Sequence, residues 1–238
     1  MRKTITHLCT ATLATAIIFS PATYAADSGA IKAFQATYTV VSEGSVSLKG
    51  ESTRSLSQNE QQQWLLQSQA SAFFASIKES SLFSVDQNQI TPHQYTYNRK
   101  VLGKTRKANL SFDWQNQTVT NDVENKPWKM EIQPGVLDKL SYQLQLQADV
   151  AAGKKEFTYA VADGGRLKTY SFAVAGEETI ETPAGNFKSI RVERVYKDNK
   201  DSQTLIWFAP ALDFQLVKLF RQEKKDKTYS LLLKKNDS

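Results

Sequence analysis

Apolar and polar residues alternate along most of this chain. Phe34, Ala36, Tyr38 and Val40 are separated by Gln35, Thr37 and Thr39. Ala108, Leu110, Phe112 and Trp114 repeat the pattern, as do Tyr170, Phe172 and Val174, and then Tyr229, Leu231 and Leu233. A period of two sends successive side chains to opposite faces, so each run predicts a strand with one dry and one wet face. Short polar stretches punctuate these runs: Ser57–Glu60, Asp86–Gln89, Gln115–Gln117, Asp163–Gly165, Pro183–Asn186 and Lys197–Lys200. Asn, Asp and Gly tolerate the positive φ angles of tight turns. Strand, short turn and strand in succession predict a mainly β protein, a meander forming a large curved antiparallel sheet or an incomplete barrel.

One segment departs from that rhythm. Leu137, Leu140, Leu144, Ala148 and Ala151 fall at helical spacing, and Gly153 can end a helix. Within it, Tyr142 to Gln147 also alternates strictly, which leaves a strand open. The length of the run and its good helix formers favour a helix over residues 136–152, packed against the sheet. A second, weaker helical or irregular piece is expected near Ala70–Ile77, where Phe73 and Phe74 are adjacent.

The amino-terminal residues set the expected compartment. Arg2 and Lys3 precede an apolar stretch from Leu8 to Phe19, and Thr23-Tyr24-Ala25 then presents small residues at a cleavage position. That is the pattern of a secretory signal peptide over residues 1–25, which places the protein in the periplasm. The apolar run is shorter than the roughly 20 residues that a spanning helix needs, so no transmembrane segment is expected in the mature chain. Cys9, the single cysteine, lies inside the run rather than at its end and leaves with the leader. The mature chain then has no disulfide and no thiolate metal site, and its stability rests on burial and backbone pairing. No linker, repeat or low-complexity tract divides residues 26–238, which read as one β-rich domain.

Lys and Arg number 30 against 24 Asp and Glu, a formal +6 that becomes +4 without Arg2 and Lys3. This mild excess favours anionic lipid or polysaccharide slightly and is no footprint of nucleic-acid binding. The lysines around 224–227 and at Lys234-Lys235 read as solvated strand ends.

Little in the sequence suggests catalysis. His93 is the one histidine beyond the leader, and it stands alone. There is no Gly-x-Ser-x-Gly elbow, no phosphate loop and no zinc spacing, so neither a cofactor nor an enzymatic activity is expected. Glu177 and Glu178 are neighbours on a predicted strand and therefore face opposite ways, which disfavours paired acid–base work. Aromatic and basic residues are more suggestive. Tyr95, Tyr97 and Arg99 share a strand face, Phe112 and Trp114 follow, and Arg194 and Lys218 fall in phase with apolar neighbours. One reading is a core with long basic side chains reaching water. The other is a groove with an apolar lining and a few cations, fit for an amphiphile with an anionic head.

Three stretches carry a family resemblance: Gly176 to Phe187, with Thr182-Pro183-Ala184-Gly185-Asn186-Phe187 at its end, then Trp207 to Asp213, then Leu216 to Leu219. With the Tyr-x-Tyr-x-Arg stretch ending at Arg99, they resemble the exported bacterial family known as domain of unknown function 3108. The resemblance spans nearly the whole mature chain. It implies the compartment and a β architecture and adds no chemistry. By analogy of fold alone, the pattern is also similar to periplasmic lipoprotein-carrier half-barrels, which close over a helix.

Two functions remain as expectations. The first is a non-catalytic periplasmic carrier for a hydrophobic or amphipathic envelope component, which requires a concave apolar surface that the chain does not fill. The second is a scaffold or assembly protein binding another envelope protein or polysaccharide, with an interior filled by its own side chains.

Overall fold

The computed structural model describes residues 31–44, 47–123, 126–196, 201–224 and 227–237. The leader, Cys9 and the turn expected at Lys197–Lys200 lie outside these residues. Eight strands come first: β1 (Phe34–Glu43), β2 (Leu48–Gln58), β3 (Trp64–Ala72), β4 (Ala75–Asp86), β5 (Gln89–Val101), β6 (Lys104–Asp113), β7 (Thr118–Val123) and β8 (Lys126–Glu131). A two-residue strand, β9 (Leu137–Asp138), precedes the helix α1 (Ser141–Ala151). Six strands follow: β10 (Glu156–Asp163), β11 (Arg166–Thr182), β12 (Gly185–Val195), β13 (Gln203–Ala209), β14 (Gln215–Lys224) and β15 (Lys227–Asn236).

These strands form one sheet, in the order β8 back to β1, then β15 back to β9. Two meanders thus meet where the first and last strands pair, from Ala36 opposite Asn236 to Glu43 opposite Thr228. Neighbours pair antiparallel except β9, which runs parallel to β10 with Leu137 opposite Val161. The sheet does not close, so the architecture is the expected incomplete barrel with one helix against it.

Alternation explains which side chains line the inside. Ala36, Tyr38 and Val40 of β1 are buried, as are Tyr170 and Phe172 of β11 and Leu231 and Leu233 of β15. Two-residue turns join many strands. At Gln87-Asn88 and Gly164-Gly165 both central residues have positive φ, the turn whose twist matches that of the flanking strands.

The helix is shorter than the 136–152 expected from spacing. Leu137 and Asp138 are used instead to extend the sheet along β10. The fully buried Asp138 carboxylate then accepts hydrogen bonds from the Leu140 and Ser141 amides at 2.8 Å, fixing where the helix begins. Burial pushes this carboxyl above its ordinary range, and the bonds from Ser81 and the backbone oppose that shift. Eight of the eleven residues of α1 are buried, including Ser141, Gln145 and Asp149. Because buried positions on several sides include Gln145 and Asp149, satisfied by hydrogen bonds, the helix has no single apolar stripe, and the Tyr142–Gln147 alternation also fits a strand.

Residues 70–77 correct the second expectation. They form no helix: Ala72 pairs with Ala75, and Phe73 and Phe74 form the tip of the β3–β4 hairpin.

One side chain reaches from the β8 edge across to the far meander. The Trp128 indole of β8 lies on Gly165, in the β10–β11 turn, and a Cβ at Gly165 would overlap the ring. Gly165 also has φ of +82°, a second reason for glycine there. The β8 edge itself carries Pro127 and Lys129, residues that discourage pairing with another strand.

Candidate functional site

The seven residues singled out in the sequence fall in four places. On the inner face of β5, Tyr95 is buried and donates to Glu79 Oε1 at 2.5 Å. Two residues on, Tyr97 is half-buried with the Lys139 ammonium 5.6 Å from its ring centroid. Arg99 is exposed on the same face, toward the end of the strand. Phe112 and Trp114 lie toward the other end of the β5–β6 pair. Their rings stack at 5.8 Å, and the indole donates to the Pro92 carbonyl at 2.7 Å.

Arg194 also faces inward, opposite the buried Phe172. Its guanidinium sits 3.6 Å from the centroid of Tyr170 and 4.7 Å from that of Tyr196, a cation–π stack in the far meander. Lys218 faces the other way. It pairs with Trp207, its ammonium 4.6 Å from that ring. Trp207 in turn donates to Glu178, which also bonds Arg191. Adjacent residues Ile206 and Leu219 pair across the same strands and point into the core, so Lys218 lies on the outer surface. Tyr95, Tyr97, Arg99 and Arg194 thus share the inside, while Lys218 is on the opposite side of the sheet; the seven do not line one groove.

The interior itself is occupied. Gln145 of α1 accepts from the Ile90 amide at 2.8 Å and donates to the Asn88 carbonyl at 2.9 Å, tying the helix to the β4–β5 turn. Arg54 donates to Gln143 at 3.0 Å, and Tyr159 to Asp149 at 2.7 Å. The Tyr142 ring stacks on Phe172 at 5.8 Å and meets Tyr170 edge-on at 5.2 Å. Between α1 and the strands around Tyr38, Arg54 and Gln215, the free space is about 10 Å³. That is near the room one water needs, and Arg54 Nε and Gln215 Nε2 are buried donors without a protein partner beside it. An acyl chain does not fit this gap.

The titratable groups inside are held neutral or engaged. Burial raises the phenols of Tyr95, Tyr97, Tyr142 and Tyr170, and it pushes Tyr229 up to about 12. These hydroxyls stay protonated at neutral pH, and those of Tyr95 and Tyr170 donate to Glu79 and Asp163. His93 lies within β5, 3.1 Å from Ser84, and burial lowers its pKa. Glu177 and Glu178 diverge as expected, Glu177 to Lys188 at 2.9 Å and Glu178 to Arg191 at 3.2 Å. Among the described residues no cluster of His, Asp and Glu has the makings of a metal site, and no helix is long and apolar enough to cross a membrane.

The larger concavity is on the outer face. A pocket of about 470 Å³ is lined by Lys78, Lys100 and Lys107 with Ser76, Asn98 and Thr105, from β4, β5 and β6. Beside it the β3–β4 and β5–β6 turns carry exposed Phe73, Phe74 and Leu102. Sequence reasoning singled out Arg99 here and passed over the lysines. The signal was present, since Arg99, Lys100, Lys104, Arg106 and Lys107 are five cations within nine residues that contain no acid.

The fold defines a β-barrel-like protein whose sheet stays open and whose interior holds a helix. The chain belongs to the family described as Protein of unknown function (DUF3108), whose model matches residues 23–231. Among solved structures it is similar to one described as a β-barrel-like protein of domain of unknown function DUF1849 from Brucella abortus. That similarity has a TM-score of 0.57 at 10% identity and covers 86% of this chain and 97% of the other. At that identity the likeness is one of fold alone. No curated protein matches the chain.

Proposed function

We propose that this is a non-catalytic scaffold or docking protein of the bacterial cell envelope, exported to the periplasm, which meets its partners on its outer surface. The observation that carries this reading is the occupied interior: α1 is buried at eight of its eleven residues, bonds to the surrounding strands, and leaves a gap of about 10 Å³ beside Tyr38 and Arg54. A carrier holding an acyl chain in the concavity needs α1 to leave. Leaving would strand the Ile90 amide, the Asn88 carbonyl and the Arg54 guanidinium without their present partners, and buried polar groups without partners are costly. The outer surface, by contrast, presents a polar pocket and exposed apolar tips with no internal partner. The leader-like amino terminus supports the compartment, and neutral interior phenols support a binding role over acid–base chemistry.

Native mass spectrometry of protein isolated gently from the envelope tests the reading. The expected result is the bare mass of the matured chain. A reproducible one-to-one lipid adduct that survives transfer to the gas phase would establish an internal ligand and overturn the scaffold reading in favour of the carrier.

A further inference from the structure

The tips of the β3–β4 and β5–β6 hairpins lie side by side, joined by a hydrogen bond of 3.1 Å from the Leu102 amide to the Phe74 carbonyl. Together they hold out three large apolar side chains: Phe73 is 100% exposed, Leu102 72% and Phe74 37%. The two phenyl rings meet edge-on at 6.4 Å. Exposed apolar residues grouped in this way mark a contact surface more often than residues scattered singly.

The backbone adds an independent observation. Leu102 has φ of +49° and Gly103 of +78°, the two-residue turn that favours Asn-Gly, since a branched side chain is strained at positive φ. The chain therefore places leucine, largely in solvent, at a position where asparagine would be easier to accommodate. Neither folding nor packing explains that choice, and strain held at an exposed position is a hint of function.

Charge completes the picture. Lys78, Lys100 and Lys107 line the outer pocket, and Arg99 and Arg106, opposite one another in register, lie with Lys104 on the other face of the same tip. None of the six pairs with a carboxylate among the described residues; Arg54, Arg166, Arg194 and Lys218 are also without one, but they are scattered, whereas these six are grouped at one end of three neighbouring strands. The nearest acids in register lie deeper in the strands, and one of them, Glu79, is engaged by Tyr95. Apolar side chains at the apex with unpaired cations behind them match a lipid–water boundary, where the apex enters the acyl region and the cations meet headgroup phosphates.

We infer that the paired β3–β4 and β5–β6 tips are a docking site for an anionic phospholipid membrane, with Phe73, Phe74 and Leu102 inserting and the Lys78–Lys100–Lys107 pocket holding a headgroup phosphate. This names one partner of the outer surface and stands whether or not the interior carries a ligand. Docking weakens with salt, because exposed charges are screened.

Flotation of the purified protein with vesicles of phosphatidylglycerol and phosphatidylcholine tests it, against vesicles of phosphatidylcholine alone and against a soluble polyanion such as heparin. The expected result is binding to the phosphatidylglycerol vesicles. Phe73→Ser/Phe74→Ser/Leu102→Asn should weaken that binding by roughly tenfold or more while leaving heparin binding intact. Lys78→Glu/Lys100→Glu/Lys107→Glu should lose both. The tip substitutions touch no core residue, and Leu102→Asn suits the turn, so circular dichroism and the melting temperature should hold. Failure of the wild-type protein to float at low salt would overturn the inference. So would a tip variant that floats like wild type, since the cations would then serve a soluble anion.

Discussion

Strands β4 and β5 have two contrasting ends. Near the Gln87-Asn88 turn they are sealed: Phe83, Ile90 and Tyr95 are buried, and the Gln145 amide of α1 bonds to the turn. Roughly 40 Å along β5, at the rise of an extended strand, the same sheet ends in the exposed Leu102 and Phe73 and six cations without carboxylate partners among the described residues. At the sealed end polar groups are buried with partners and the apolar ones are enclosed. At the open end apolar groups are in water and the charges stand unpaired. A sequence optimised only for folding would treat both ends alike, so the contrast separates what holds the molecule together from what it presents to others.

The contrast is broken most severely by emptying the sealed end. Leu146 of α1 is fully buried, and Leu146→Ala should cost about 2–5 kcal/mol. Phe73→Ser, of similar apolar loss by sequence, should stay within about 0.5 kcal/mol of wild type because it leaves no cavity. Urea denaturation of the two variants compares them directly, and equal costs would mean that the tip is packed after all. A smaller effect is expected at the seam. Gly165→Val collides with Trp128 and strains a positive φ, which together should cost about 2–3 kcal/mol. Tryptophan fluorescence should shift as the Trp128 ring is displaced, and an unchanged spectrum and melting temperature would show that the ring does not rest on Gly165.

Much of the fold was legible in the residues because half-buried strands write their two faces into a period of two. Phe34 to Val40 and Tyr229 to Leu233 lie where alternation put them. The helix was legible in type and less so in extent, because an enclosed helix lacks a polar stripe and because Leu137 and Asp138 serve the sheet. Residues 70–77 misled for a different reason. The doublet Phe73-Phe74 reads as something to bury, and the structure leaves it in water at a hairpin tip. The site was harder still. The shared face of Tyr95, Tyr97 and Arg99 follows from spacing within one strand. That Arg194 and Lys218 lie on opposite sides of the sheet depends on register across strands, and on a shift in it beside Trp207. Whether a cation is paired is a fact of neighbours far apart in sequence, so the importance of Lys78, Lys100 and Lys107 emerged only when three strands were laid together.

Hydrogen exchange, read residue by residue with and without phosphatidylglycerol vesicles, tests the division of labour most directly. The amides of α1 from Gln145 to Val150 should exchange as slowly as the central strands and should not respond to vesicles. Protection should instead increase at residues 72–76 and 100–106. Loss of protection in α1 when lipid is added, with the two tips unchanged, would mean that the helix opens to admit a ligand and that the working surface is inside.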